Sequence, residues 1–158
     1  MLTRSELKTL DYLTASAEGK GFVSQIARET GISKGEVSKA VKVLKDAGLV
    51  SSRPNGRNMV CFVDRRLPVF AYLRIAFNLL EIFPAIAALR PCTDKIILLG
   101  SCAQGADRED SDVDLLVITP DKARVEKMAR KVKLSRAVQW VIKRSEEHTS
   151  ELQSRQSI

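Results

Sequence analysis

Leu7, Leu10 and Leu13 recur at helical spacing behind Thr3-Arg4-Ser5-Glu6, a capping box, and predict a first helix over about residues 5–16. Gly19 and Gly21 end it. The segment Ser24 to Thr30 predicts a short second helix with Ile26 and Ala27 inward, and Gly31 to Ser33 a turn. Ser33 and Glu36 form a second capping box, and Val37, Ala40, Val41 and Leu44 make the apolar stripe of a third helix that Gly48 stops. Two short strands, LVSSR and NMVCFV, then flank Pro54-Asn55-Gly56-Arg57. The Asn-Gly pair predicts a type I′ hairpin turn, because both residues tolerate positive φ.

The pattern then changes. Pro68 suits a first helical turn, and from Val69 to Leu80 the apolar residues lie almost all round the helix, with Arg74 and Asn78 the polar exceptions. Such a helix needs cover on more than one side, within the chain or across a dimer. Pro84 is expected to kink or restart it before Leu89. KIILLG (Lys95 to Gly100) and VDLLVI (Val113 to Ile118) predict two short strands. Between them, residues 101–105 predict one helical turn, and Asp107, Glu109 and Asp110 a solvated acidic loop. A helix over Lys122 to Lys133 and a third strand, RAVQWVIK, follow. In that strand Ala137, Gln139 and Val141 share one face, and Val138, Trp140 and Ile142 the other.

Charge narrows the partners. The chain has 26 Lys and Arg against 19 Asp and Glu, and the bias is strongest in residues 1–66, with 12 basic and 7 acidic side chains. That suits a polyanion. On the polar face of the third helix, Lys34, Gly35, Ser38, Lys39 and Lys42 are short or cationic, and Arg53, Arg57 and Asn58 stand on the hairpin. Lysine and arginine meet phosphates, whereas Ser33, Ser38 and Asn58 are the candidates for base edges. Residues 1–64 thus resemble the winged helix-turn-helix domains of prokaryotic transcriptional regulators, which implies double-stranded DNA as a partner and, through palindromic sites, a homodimer. Cys61, Cys92 and Cys102 have no paired or metal-ligand spacing, so a reducing, cytoplasmic setting is expected. No apolar leader opens the sequence, and Arg74, Glu81 and Pro84 interrupt the most apolar stretch, so a membrane is not an expected partner.

The period of two places Asp112, Asp114 and Leu116 on one face of the second strand. Two carboxylates side by side repel unless a cation neutralises them, and oxygen ligands on a short strand suit Mg²⁺ with substrate phosphates. Gly100 allows backbone to approach a phosphate, and Ser101 with the following amides offers it hydrogen bonds. The longer pattern, Gly100, Ser101, Ala103 and Gly105 followed by Ser111, Asp112, Asp114, Leu115, Leu116 and Val117, resembles the minimal nucleotidyltransferases of the DNA polymerase beta superfamily. The resemblance implies that Gly100, Ser101, Gly105 and Ser111 hold a nucleoside triphosphate such as ATP. It also implies that Asp112 and Asp114 bind metal for transfer of a nucleoside monophosphate to a hydroxyl.

The family carries a third carboxylate on a following strand. Here Gln139 occupies the nearest equivalent place, and a neutral amide is neither an anionic ligand nor a base. The third acid is absent by nature, or lies beyond the sequence, or the third strand is aligned differently.

Residues 144–154, RSEEHTSELQS, back-translate to a common sequencing adapter, so residues 144–158 are expected to be non-native, the gene to be cut near Lys143, and His148 to carry no role. The expected architecture is α+β, with a winged helix at 1–64, three helices plus a β-hairpin wing. A helical linker follows at 65–91, then a truncated α/β nucleotidyltransferase domain with a short mixed sheet at 92–143. Two activities fit it. One is a regulator that nucleotidylates a partner, such as the toxin of a toxin–antitoxin pair; the other is a regulator whose second domain only senses nucleotide. Modification of a small molecule fits the fused DNA-binding segment less well.

Overall fold

A computed structural model describes residues 2–146. His148 and most of the adapter-like tail lie outside the described residues. The chain divides into two compact units, one of residues 1–74 with 105–109, the other of 75–104 with 110 onward.

The first unit holds α1 (Arg4–Ala15), β1 (Lys20–Phe22), α2 (Val23–Thr30), α3 (Lys34–Asp46), β2 (Ser51–Asn55) and β3 (Asn58–Phe62). Both predicted capping boxes form, Thr3 with Glu6 and Ser33 with Glu36. The apolar stripe of α3, Val37, Ala40, Val41 and Leu44, is buried as its spacing predicts. On α1 the buried set is Glu6, Thr9, Leu10, Leu13 and Thr14, whereas Leu7 is exposed. Thr9 and Thr14 enter the core because their hydroxyls donate to the carbonyls of Ser5 and Leu10, both at 2.8 Å.

The wing gains a strand that the hydrophobic pattern did not predict. β1 pairs antiparallel with β3, giving the order β1-β3-β2. Its turn also differs from the expected type I′. Asn55 and Asn58 are the last paired residues, which leaves Gly56 and Arg57 as the loop. Gly56 has φ of +60° and Arg57 does not share that sign, the pattern of a type II′ turn with glycine first.

Helix α4 (Pro68–Leu89) serves both units in turn. It continues through Pro84, so the helix does not restart there as one reading expected. Proline removes a single hydrogen bond to the residue four earlier, Leu80, which is exposed, so water is at hand for the freed carbonyl. With the turn after it, Arg90–Cys92, this helix is long and apolar enough to cross a membrane. Its Arg74 and Asn78 are nevertheless buried and hydrogen-bonded to protein groups.

Asp107, Glu109 and Asp110 were expected to form a solvated acidic loop, and Asp107 overturns that. It is wholly buried in the first unit. Its carboxylate pairs with Arg74, which also reaches Asp11 at 2.6 Å. The Asp107 carbonyl accepts from Arg65 at 2.8 Å, and the Glu109 N–H donates to the carbonyl of Ala15 at 3.2 Å. The physical reason is Arg74: a guanidinium buried on an apolar helix requires a carboxylate beside it.

The second unit holds the rest of α4, β4 (Lys95–Leu99), α5 (Gly100–Gln104), β5 (Val113–Thr119), α6 (Lys122–Ala129) and β6 (Val138–Arg144). Its sheet has the order β4-β5-β6, antiparallel between β4 and β5 and parallel between β5 and β6, the expected short mixed sheet. Ile82, Cys102, Val113 and Leu115 form one core cluster, and Leu89, Cys92, Val117 and Val125 another. α6 ends at Ala129, short of the predicted Lys133. Lys127, Arg130 and Lys131 would stack like charges along a longer helix.

Candidate nucleotide and metal site, and candidate DNA-binding face

β4 delivers the chain to Gly100, where it turns into α5 with φ of +65°. Only glycine adopts that conformation without strain. A second constraint acts at the same atom: a Cβ on Gly100 would collide with Oδ2 of Asp114. The start of α5 and the carboxylate of β5 therefore meet at van der Waals contact, and Leu99 pairs with Asp114 across the ladder. Turn and carboxylate form one site.

The alternation predicted for β5 holds, with Val113, Leu115 and Val117 buried and Asp114 half-buried between them. Asp112 is exposed just before the strand begins, with Ser111 ahead of it. On the parallel neighbour Gln139 pairs with Asp114, and Trp140 with Leu115. Gln139 thus shares the face of the two aspartates, and its Nε2 donates to Oδ2 of Asp112 at 2.9 Å. The opposite face carries a cavity of about 420 Å³ lined by Lys122, Arg130 and Trp140 among others, on the side away from the carboxylates.

Among the described residues no group of three His, Cys, Asp or Glu side chains is placed to hold a metal ion. Two carboxylates and an amide oxygen nonetheless fit Mg²⁺, which commonly binds through one or two carboxylates, substrate phosphates and water. Gln139 fits that role only if its amide reorients, since its NH₂ now faces Asp112.

Gly105 stands apart from the other residues of the motif. It is buried in the first unit, and the backbone carbonyl of Ala71 fills the space where its Cβ would be. Packing accounts for this glycine without a phosphate. The sequence reading gave Asn78 and Arg136 no role at the site, although both touch α5. The signal for Asn78 was present, as an amide on a helix otherwise apolar nearly all round.

In the first unit Ser33, Lys34, Ser38, Lys39, Lys42, Arg53, Arg57 and Asn58 are all exposed. Ser38, Lys39 and Lys42 lie on the open side of α3, and Arg57 is in the wing turn. Ser33 and Arg53 make side-chain contacts within the unit. The Ser33 hydroxyl caps α3, accepting from the Glu36 N–H and donating to its carboxylate at 2.9 Å. That bond holds the Glu36 carboxyl below its ordinary pKa. The Arg53 guanidinium lies over the Phe62 ring, 4.9 Å from its centroid.

Comparison with known proteins agrees with both halves. The sequence model of the MarR family matches residues 2–58, and that of the nucleotidyltransferase domain matches residues 79–153. No curated protein matches. Among solved structures, a zinc-responsive MarR family member from Lactococcus lactis is 22% identical, with 60% of this chain and 65% of that one covered and a TM-score of 0.46. The hypothetical protein PyrSV_gp04 of Pyrobaculum spherical virus is 20% identical, with 61% and 60% covered and a TM-score of 0.35. This chain spans less than two thirds of either. The two family matches identify residues 2–58 as a MarR-family domain and residues 79–153 as a nucleotidyltransferase domain.

Proposed function

We propose that the nucleotidyltransferase domain takes up a nucleoside triphosphate with Mg²⁺, ATP being the first to test, while the winged helix holds double-stranded DNA. The observation that carries this is the contact of Gly100 with Asp114, which joins a phosphate-binding turn to a metal-binding carboxylate. Gly100, Ser101 and Ser111 would face the nucleotide, and Asp112 and Asp114 would hold the ion. Bound Mg²⁺ supplies positive charge against the phosphates.

Whether a nucleoside monophosphate is then transferred turns on the third side chain of that face. The hydrogen bond from Gln139 to Asp112 favours the sensing regulator, because an amide cannot take the proton of an attacking hydroxyl. Labelled ATP, offered to the full chain with Mg²⁺, separates the readings. Binding that weakens at least about ten-fold in Asp114→Asn, the order expected on losing a metal ligand, with no labelled product, is the expected result. Labelled protein that disappears in Asp112→Asn would establish transfer instead, with a partner such as a toxin as acceptor. Absence of Mg²⁺-dependent binding of any nucleoside triphosphate would end the proposal.

For the other half, duplex DNA should bind with an affinity that falls steeply with salt. Lys39→Ala should weaken it on all sequences and lower the salt slope by about one. A slope unchanged by Lys39→Ala and Arg57→Ala would remove α3 and the wing from the interface. A homodimer is supported by Leu80 and Phe83 of α4, one turn apart in the second unit and 70% and 64% exposed. Light scattering that returns a monomer at micromolar concentration would exclude it. All three cysteines are buried, and desolvation pushes the Cys61 thiol up to about 11, which keeps it protonated and unreactive.

A further inference from the structure

A chain of buried polar contacts lies behind the turn that carries Ser101, all within the second unit. Asn78 on α4 is completely buried. Its Nδ2 donates to the carbonyl of Cys102 at 3.1 Å, and its Oδ1 accepts from Nη2 of Arg136 at 2.8 Å. The Arg136 side chain is about one-tenth exposed and pairs with Glu81 at 2.6 Å. Its Nη1 approaches Sγ of Cys102 at 3.7 Å, and the Cys102 thiol donates to the carbonyl of Asp112 at 3.4 Å. Three residues beyond Arg136, Gln139 holds the carboxylate of the same aspartate.

These bonds have a mechanical reason. α5 is five residues long, too short to sustain itself, and the last carbonyls of any helix lack partners within it. Asn78 supplies the partner for one of them from a longer helix. Arg136 fixes the orientation of that amide, since a guanidinium donates only and must face its oxygen. The result is a clamp on Cys102, the residue between Ser101 and the rest of the turn, tied through the thiol to the start of the metal-binding strand.

We propose that Asn78 and Arg136 are positioning residues of the nucleotide site, which set the phosphate-binding turn against the aspartates without touching the ligand. The inference rests on the proposed binding of nucleotide with Mg²⁺. It predicts a separation that a merely structural role would not produce. Asn78→Asp keeps an acceptor for Arg136 but removes the donor to Cys102, and Arg136→Lys keeps a charge beside Glu81 but loses the fork that reaches Asn78 and Cys102 together.

The test is calorimetric titration of the full chain with MgATP and, separately, with Mn²⁺ alone, beside thermal unfolding. In both variants MgATP affinity is expected to fall by about ten-fold or more, the order seen when supporting partners of a site are removed. Mn²⁺ affinity should stay within about two-fold, because Asp112 and Asp114 are untouched. MgATP affinity within two-fold of the parent in a folded variant overturns the inference and leaves the nucleotide reading intact. So does loss of MgATP and Mn²⁺ affinity together in step with melting temperature. A parent chain that binds no MgATP overturns both. If Asn78→Asp fails to fold, Arg136→Lys decides.

Discussion

Asp107→Leu should cost the first unit about 3–5 kcal/mol of stability, because it leaves the Arg74 guanidinium buried beside an apolar side chain. Arg74 is 4% exposed and Asp107 is fully enclosed, so water does not replace the lost carboxylate. Asp11 remains at 2.6 Å, but its side chain is half exposed and serves a different nitrogen of the same guanidinium. Against a typical domain stability of about 5–15 kcal/mol the loss is large. The double variant Arg74→Leu, Asp107→Leu should recover most of it, since a buried ion pair replaced whole by apolar groups of similar size is often neutral. Urea unfolding followed by circular dichroism reads both. A single variant that loses less than about 1 kcal/mol would show that the pair is solvated in solution.

Gly100→Val should abolish MgATP binding, with a loss beyond about a hundred-fold, while DNA binding by the winged helix is retained. Two costs combine at this one atom. The backbone at φ of +65° costs a non-glycine residue about 1–2 kcal/mol, and more when the side chain is β-branched. The new Cβ also meets the Asp114 carboxylate, which must swing away from the face it shares with Asp112 and Gln139. Relieving the collision means moving either the phosphate turn or the metal ligand. MgATP affinity within about three-fold of the parent, about 0.7 kcal/mol and so below the strain alone, would place the nucleotide elsewhere.

The sequence by itself determined most of the first unit, because its signals are local. A capping box needs four residues and an apolar stripe three turns, so α1 and α3 could be placed from Thr3, Glu6, Ser33, Glu36 and the spacing of Val37 to Leu44. The nucleotide and metal motif was legible for the same reason. Gly100, Asp112 and Asp114 lie within fifteen residues, and the period of two on β5 puts Asp114 on the open face without any knowledge of its neighbours.

What only the tertiary structure decided depends on residues far apart in the chain. Asp107 reads as one more acid in a polar loop until Arg74, 33 residues away, is found against it in the core. Asn78 reads as an interruption in an apolar helix until Cys102 and Arg136, 24 and 58 residues away, take up its amide. The family resemblance already pointed to Gln139 as the residue in the third carboxylate's place, but its register opposite Asp114 and its hydrogen bond to Asp112 are set by a parallel ladder that no local pattern specifies. Short-range spacing defines which groups face one way. Burial decides which of them need a partner, and the packed fold supplies it from a distant part of the chain.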